Sequence, residues 1–208
     1  VAEGRTSHYA VVPATDPELV DACFRLGFGH QHVHAIGEPL DEAPALPEGI
    51  VVRRAQREDI EALVRLDMSL GEHQVRSPVF SQVVPASFEE TLAEWNEDFD
   101  DPTYTTFVAE RDGVVVGSAV GCAIEASSMH RSLALPAGAG FLGFAAVLPE
   151  HRGLGLGRIL GEAILVWAKE AGYPTVVTDW RMTNLLSSRT WPRLGFRPTF
   201  FRLFRAIA

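Results

Sequence analysis

A turn rich in glycine and arginine carries the clearest chemistry in the sequence. It occupies residues 152–158, reads Arg-Gly-Leu-Gly-Leu-Gly-Arg, and follows a short apolar run over 141–147 that predicts a buried strand. Apolar residues then recur every three or four positions, which predicts an amphipathic helix beginning among the glycines. Glycines let the backbone approach a ligand, and the first N–H groups of a helix lack partners within it. The turn therefore predicts a phosphate or pyrophosphate site, with Arg152 and Arg158 adding positive charge.

Two common phosphate-binding loops fit this turn less well. A Walker A loop requires Lys and then Ser or Thr after its last glycine, whereas Arg158-Ile159 follows Gly157. The dinucleotide fingerprint requires glycines directly after the strand, whereas residues 149–152 intervene. Asp179 does lie at about the distance expected of a ribose-binding acid, so a dinucleotide-binding protein stays open as an alternative.

Two sequence blocks resemble the signature of the GNAT superfamily of N-acetyltransferases. The first, Arg152-Gly-Leu-Gly-Leu-Gly157 after Val147-Leu-Pro-Glu150, is similar to the family's Arg/Gln-x-x-Gly-x-Gly/Ala after Val-x-Pro-Glu. The second resembles the family's Asn-x-x-Ala-x-x-x-Tyr-x-x-x-Gly-Phe and consists of Asn184, Ser187, Trp191 and Gly195-Phe196. The blocks occur in order with a strand between them, and the resemblance covers residues 50–208.

The resemblance implies the GNAT fold, an α/β (α+β) architecture. Its central sheet is mixed but mostly antiparallel, splayed between the family's strands four and five, and flanked by helices. The implied co-substrate is acetyl-CoA, with no metal; the glycine turn would hold its pyrophosphate and the edge of strand four would pair with its pantetheine arm. The implied cofactor-binding residues are Ala145, Ala146, Val147, Arg152, Gly153, Leu154, Gly155, Leu156, Gly157, Arg158, Asn184 and Trp191.

Acetyl transfer to an amine also requires an oxyanion donor and a group that accepts the proton of the attacking ammonium. The resemblance makes a backbone N–H near Val147 the expected donor. Asp179 is the expected base, because some family members carry Glu at that offset and we expect a strand over 175–178 to end just before it. A strand-end carboxylate without catalytic role is the alternative for Asp179, and Glu125 is a second candidate base.

Trp191 is the clear departure from the family pattern, which has Tyr at that position. An indole N–H cannot donate a proton to the leaving thiolate, so that proton would come from water, Ser187 or Ser188. We expect Trp191 to pack beside the cofactor arm. Asn184 is expected to contact the arm, to cap the next helix, or to do both. The missing Tyr keeps a non-catalytic acyl-CoA-binding module open as an alternative function.

The composition of the chain narrows the classes of partner. The 208 residues carry a net charge of −9, which disfavours nucleic acid and mildly favours a cationic substrate, a small-molecule or peptide amine. Two cysteines, Cys23 and Cys122, allow no disulfide framework. We found no membrane-spanning run and no signal-peptide pattern, so a cytoplasmic location without membrane association is expected. A homodimer stays open.

The sequence before residue 50 has its own organisation. Residues 8–36 predict a strand, a helix capped by Asp16, a Leu-Gly-Phe turn and a second strand, and the same order recurs near the C-terminus, over 175–207. We therefore expect residues 1–38 to form a partial GNAT-like unit, 39–49 a proline-rich linker and 50–208 the acetyltransferase domain.

The remaining patterns place the supporting elements. Asp112-Gly113 between two β-rich runs predicts a hairpin, and Ser87 with Glu90 predicts a capping box at a helix start. Prolines at 78 and 85 favour an irregular stretch over 69–86. On the strand before the linker, His30, His32 and His34 alternate, and a shared face is expected; a solvated or interface face is favoured over zinc binding.

Overall fold

A computed structural model describes residues 4–43, 45–75, 86–127, 133 and 135–207. Within them the chain forms eight strands and five α-helices. The strands are β1 (Ser7–Pro13), β2 (Gly29–Gly37), β3 (Ile50–Arg54), β4 (Tyr104–Arg111), β5 (Val114–Ala123), β6 (Gly140–Val147), β7 (Val176–Arg181) and β8 (Arg197–Ala206). The helices are α1 (Pro17–Arg25), α2 (Ile60–Val75), α3 (Phe88–Asp98), α4 (Leu156–Glu170) and α5 (Leu185–Arg193).

All eight strands belong to one sheet in the order β1-β8-β2-β7-β6-β5-β4-β3. Every neighbouring pair is antiparallel except β6 and β7, which are parallel. The predicted α/β fold with a mixed, mostly antiparallel sheet and flanking helices is therefore confirmed. The pairing of β6 with β7 covers only Gly140–Leu142 against Val176–Thr178, and beyond these residues the two strands separate. This is the predicted splay.

The main core lies between the sheet and α4. Leu160, Ile164 and Leu165 of this helix are fully buried against strand residues such as Val116 and Ala119. The helix lies so close to β5 that a Cβ atom at Gly121 would fall 2.6 Å from the ring of Trp167. No helix in the described part of the chain is long and apolar enough to cross a membrane.

Local signals in the sequence placed several elements correctly. The hairpin of β4 and β5 turns at Asp112-Gly113, both with positive φ, and the capping box of Ser87 and Glu90 starts α3. The expectation of irregular chain from residue 69 was wrong up to Val75, because α2 continues that far. Residues 76–85 lie outside the described part of the chain.

The N-terminal segment interlocks with the C-terminal one. Both have the predicted strand-helix-strand order, and β2 inserts between β7 and β8 while β1 pairs with the outer edge of β8. The two segments are related as by a two-fold axis. If β1 and β2 are exchanged with β7 and β8, the strand order β1-β8-β2-β7 becomes its own reverse, so every pairing is kept. The backbone bonds at the two helix ends also match: Phe28 N–H donates to Cys23, and Phe196 N–H donates to Trp191. The division into a partial unit, a linker and a main domain stays a prediction.

The histidines of β2 do not share one face, contrary to the expectation. The pairing of β2 with β8 shifts register between His30 and His32. The ring of His30 therefore packs against Phe24 of α1 and Phe201 of β8, whereas the rings of His32 and His34 stack 6.4 Å apart. Burial lowers the pKa of His32 to about 4, so this ring is neutral at pH 7.

A charge network joins the start of α2 to the edge of the sheet. The guanidinium of Arg53 donates to both carboxylate oxygens of Asp59, at 2.7 and 2.9 Å, and also pairs with Glu110. The backbone N–H of Gln56 donates to Asp59 as well. The hydrogen bonds from Arg53 are the main reason that the pKa of Asp59 is lowered. The side chain of Asp59 is 8% exposed.

We expect Asp59→Asn to lower the free energy of unfolding by about 3 kcal/mol, because the variant leaves a partly buried guanidinium without its bidentate partner. The control is Asp100→Asn, which breaks the exposed pair with Arg57 and should cost less than about 1 kcal/mol. Urea unfolding measures both variants.

The effect of Asp59 should also depend on pH. Its folded-state pKa lies below the unfolded value of about 3.9, so its contribution is complete well above pH 4 and is lost as the pH falls through the folded pKa. A constant difference between wild type and Asp59→Asn from pH 7 to pH 3 would contradict this assignment.

Candidate functional site

The separation of β6 and β7 opens a cavity of about 330 Å³. One wall is the end of β6, and the others are the glycine turn, helix α5 along its whole length and the end of α2. The predicted site residues that line the cavity are Ala145, Ala146, Val147, Arg152, Gly153, Gly155, Leu156, Gly157, Arg158, Asn184 and Trp191. Of the predicted cofactor-binding residues, only Leu154 is not in the lining; its side chain is exposed.

The glycine turn leaves the N-terminus of α4 without a side-chain cap. Helices α1, α3 and α5 begin at Asp16, Ser87 and Asn184, whose side chains accept backbone N–H bonds. Helix α4 instead begins after Gly155, which has φ +80° and no side chain to cap the helix. The first N–H groups of α4 and the positive end of its dipole therefore face the cavity, which is the arrangement that binds phosphate groups.

The two arginines of the turn have different partners. Arg152 Nε donates to the carbonyl of Val147 at 3.1 Å, which ties the turn to the end of β6. Arg158 lies 3.4 Å from Glu162, one turn along α4. Burial raises the pKa of Glu162, while the charge of Arg158 opposes that shift. Arg152 thus holds the turn in shape, and Arg158 extends from it with a half-exposed side chain.

His73 is a site residue that the sequence did not predict. Its Nε2 lies 3.2 Å from Asn184 Oδ1, and its Nδ1 lies 3.4 Å from Arg152 Nη1. Since a guanidinium only donates, this geometry is that of a ring whose Nδ1 accepts and whose Nε2–H donates to Asn184. His73 therefore bridges the glycine turn and the start of α5. The only sequence signal was the apolar pattern of α2, which had to be extended past Ser69.

Asn184 caps α5 as expected, while its contact with a cofactor arm stays a prediction. Its Oδ1 accepts from the N–H groups of Leu186 and Ser187, which caps α5, and its Nδ2 donates to the Ser187 hydroxyl at 2.9 Å. It also lines the cavity. The neighbouring Ser188 is engaged elsewhere, because its hydroxyl accepts from Trp180 and donates to the carbonyl of Met182.

Asp179 does not line the cavity. It lies inside β7, not at the strand end as expected, because Trp180 and Arg181 continue the pairing with β2. Trp180 faces α5, so the alternate residue Asp179 projects from the other face of the sheet. There its carboxylate lies 3.9 Å from Nδ1 of His34, a buried ring on β2.

Glu125, the second candidate base, is exposed and accepts the backbone N–H of Gly138 at 2.9 Å. That bond is the main reason that the pKa of Glu125 is lowered. Glu125 is not among the residues that line the cavity. In the part of the chain that the structure describes, no group of three or more His, Cys, Asp or Glu side chains could hold a metal ion.

The sequence model of the Acetyltransferase (GNAT) family matches residues 72–196, well over half of the chain. The chain belongs to the GNAT acetyltransferase family. This membership confirms the resemblance seen in the two sequence blocks and assigns the chain to the acyltransferases. A search of curated proteins finds no match.

Solved GNAT structures show the same fold at low sequence identity. A GCN5-related N-acetyltransferase from Sphaerobacter thermophilus is 18% identical, with a TM-score of 0.64 over 99% of this chain and 61% of that one. A tandem GNAT protein from the clavulanic acid biosynthesis pathway is 20% identical, with a TM-score of 0.58 over 99% and 65%. An aminoglycoside N-acetyltransferase in complex with CoA is 22% identical, with a TM-score of 0.56 over 74% and 93%. The chain spans less than two thirds of the first two proteins.

Trp191 replaces the GNAT Tyr in a packed position. Its side chain is 6% exposed, and its ring meets that of Phe196 at 6.3 Å between centroids. A Cβ atom at Gly161 of α4 would lie 3.0 Å from the indole. Trp191 therefore fills the contact between α4 and α5 and also lines the cavity, while its place beside a bound ligand stays a prediction.

We expect Asn184→Ala to lower the free energy of unfolding by about 2 kcal/mol, because it removes a buried helix cap and the acceptor of His73. The matched control is Asp16→Ala, which removes the exposed cap of the equivalent helix α1 and should cost about 1 kcal/mol. Chemical denaturation of both variants gives the comparison. Equal losses would show that the contact with His73 adds nothing to the cap.

Proposed function

We propose that the chain transfers an acetyl group from acetyl-CoA to a primary amine by direct attack. One observation carries this proposal: the uncapped, glycine-lined N-terminus of α4 opens onto the edge of β6 where β7 has moved away. That arrangement offers backbone donors for a pyrophosphate next to a groove for an extended arm. Family membership supports acetyl transfer, and a GNAT relative in complex with CoA supports CoA as the carrier.

In the proposed reaction, acetyl-CoA supplies a thioester whose carbonyl carbon accepts the amine. The C–N bond forms and the C–S bond breaks. The nitrogen loses two protons, one from the ammonium before attack and one as the amide forms, and the leaving thiolate takes up one, so one proton is released to water in all. Residues 145–147 position the arm of the substrate, and a backbone N–H near Val147 donates to the oxyanion. Arg152 supports this geometry, because it binds the carbonyl of Val147 and thereby fixes the end of β6.

We assign the role of base to Asp179. Its place on the face of the sheet away from α5 fits an acceptor that approaches from the side opposite the carrier, through the gap between β6 and β7. The buried ring of His34 is its neighbour on that face, with Nδ1 at 3.9 Å from the carboxylate. The thiolate then takes its proton from water or Ser187; a thiol pKa near 8.5 makes a dedicated protein acid unnecessary.

A non-catalytic CoA-binding module is the second candidate function. Two observations favour it: Trp191 stands where the family has Tyr, and the proposed base does not line the cavity. Thiol release from acetyl-CoA, measured against a panel of small amines, aminoglycosides and peptides, separates the two functions. Binding of CoA without amine-dependent thiol release would favour the module.

We expect Gly157→Leu to weaken CoA binding more than about tenfold, because the new side chain would enter the cavity and cover the helix N-terminus. A Cβ atom at Gly157 meets nothing within 4 Å, so the thermal midpoint should not fall. Calorimetric titration and thermal melting provide the two readings. NAD is the second ligand: wild-type binding of NAD as tight as that of CoA would support a dinucleotide-binding protein instead.

We expect Asp179→Asn to lower turnover most at pH values below the pKa of the acceptor amine, where the ammonium must lose a proton before attack. The loss should shrink as the pH rises toward that pKa. Glu125→Gln is the matched control and should leave the pH profile unchanged. A steep loss in Glu125→Gln together with an unchanged Asp179→Asn would transfer the role of base to Glu125.

A further inference from the structure

The cavity has a charge opposite to that of the chain. The protein carries a net charge of −9, yet among the described residues that line the cavity none is Asp or Glu. Its charged lining consists of four arginines, Arg152, Arg158, Arg189 and Arg193. Arg152 and Arg158 belong to the glycine turn and are bound to Val147 and Glu162. The other two stand on α5, across the cavity from the turn.

Arg189 and Arg193 lie four residues apart and therefore share one face of α5. Within the described residues, no carboxylate forms an ion pair with either of them. Four other exposed arginines do have such partners: Arg25 pairs with Asp21, Arg57 with Asp100, Arg65 with Glu61 and Arg197 with Glu38. Two like charges at this spacing destabilise a helix. A cation in the last turn of a helix is favourable, which accounts for Arg193, but the stability of α5 gives no reason for a second arginine at position 189.

Helix α1 provides an internal comparison, because it occupies the equivalent place in the interlocked arrangement. Both helices end in Leu-Gly-Phe with the same backbone bonds, so Arg25 is equivalent to Arg193, and Asp21 is equivalent to Arg189. In α1 the two positions form an ion pair at 2.6 Å. In α5 the acid is replaced by a second arginine, and only α5 borders the cavity. The change from an acid in α1 to an arginine in α5 thus occurs in the helix that borders the cavity.

A ligand that satisfies both sides of this cavity has two separate anionic groups. The N-terminus of α4 takes one, which in the proposed function is the pyrophosphate. CoA carries a second group, a phosphate monoester on the 3′ oxygen of its ribose, with a charge of about −1.5 to −2 at pH 7. Two guanidinium groups on one helix face match such a group, because each can donate two parallel hydrogen bonds to phosphate oxygens.

We propose that Arg189 and Arg193 bind the 3′-phosphate of CoA and make the protein selective for CoA thioesters over their 3′-dephospho counterparts. The proposal rests on the proposed function, since it assumes that the glycine turn holds the pyrophosphate. It assigns a specificity role to two residues at variable positions of the second sequence block, which the family pattern leaves unspecified. Selectivity then comes from α5, while the turn on α4 contributes affinity to both ligands alike.

Calorimetric titration of the full chain with CoA and with 3′-dephospho-CoA tests this assignment. We expect the wild type to bind CoA at least about tenfold more tightly at low salt, and the ratio to shrink as the ionic strength rises. The double variant Arg189→Gln/Arg193→Gln should bind the two ligands about equally, because its affinity for CoA falls. Its affinity for 3′-dephospho-CoA should stay unchanged within about twofold. Arg189→Lys/Arg193→Lys should retain an intermediate ratio, because lysine keeps the charge but not the paired donors.

Arg25→Gln is the matched control, since it removes the equivalent arginine of α1, and it should leave both affinities unchanged. Thermal melting verifies that the variants fold. An equal loss of affinity for both ligands in the glutamine variant would place the arginines at the pyrophosphate and overturn the proposal. An unchanged ratio of CoA to 3′-dephospho-CoA affinity in the glutamine variant would overturn the proposal as well. The proposed function would stand in that case, because the protein would still bind CoA. Failure of the wild type to bind CoA at all would contradict the proposed function too.

Discussion

The separation of β6 from β7 is the constraint on which the site depends. Thr178 Oγ1 donates to the carbonyl of Leu142 at 2.9 Å, and these two residues are the last pair of the parallel ladder. Beyond them β6 keeps its bonds to β5 but presents a free edge on the other side. Buried backbone groups without partners are costly, so a free edge at this depth favours a ligand that pairs with it.

The N-terminal strand β2 supplies β7 with backbone hydrogen bonds where β7 has separated from β6. Beyond Thr178, Asp179, Trp180 and Arg181 have lost β6 as a neighbour, yet they continue to pair with His34, Val33 and His32 of β2. The backbone groups on one edge of β7 thus keep their hydrogen-bond partners in β2, while the other edge no longer pairs with β6. The same pairing places His34 beside Asp179. Residues of β2, near the start of the given sequence, therefore determine the surroundings of the proposed base, although both signature blocks lie far along the chain.

Sequence patterns predicted the parts of the site that depend on local structure. Gly155 has the positive φ that a turn into α4 requires, and Asn184 caps α5, as expected of residues chosen by backbone geometry. His73 was missed because its role comes only from the packing of α2 across the cavity. The register shift at His30 and the extension of β7 beyond Asp179 depend on partner strands. No local pattern in β2 or β7 encodes them.

The replacement of Tyr by Trp191 follows from the packing between α4 and α5. A glycine at position 161 leaves room for a large ring, and the indole occupies it with 6% of its surface exposed. Burial of an aromatic side chain of this size is worth roughly 2–3 kcal/mol, a large part of the stability of a small domain. In the equivalent place on α1 stands Cys23, which is also buried. Both helices thus use this position for packing, and the proton chemistry of the site must be provided by other groups.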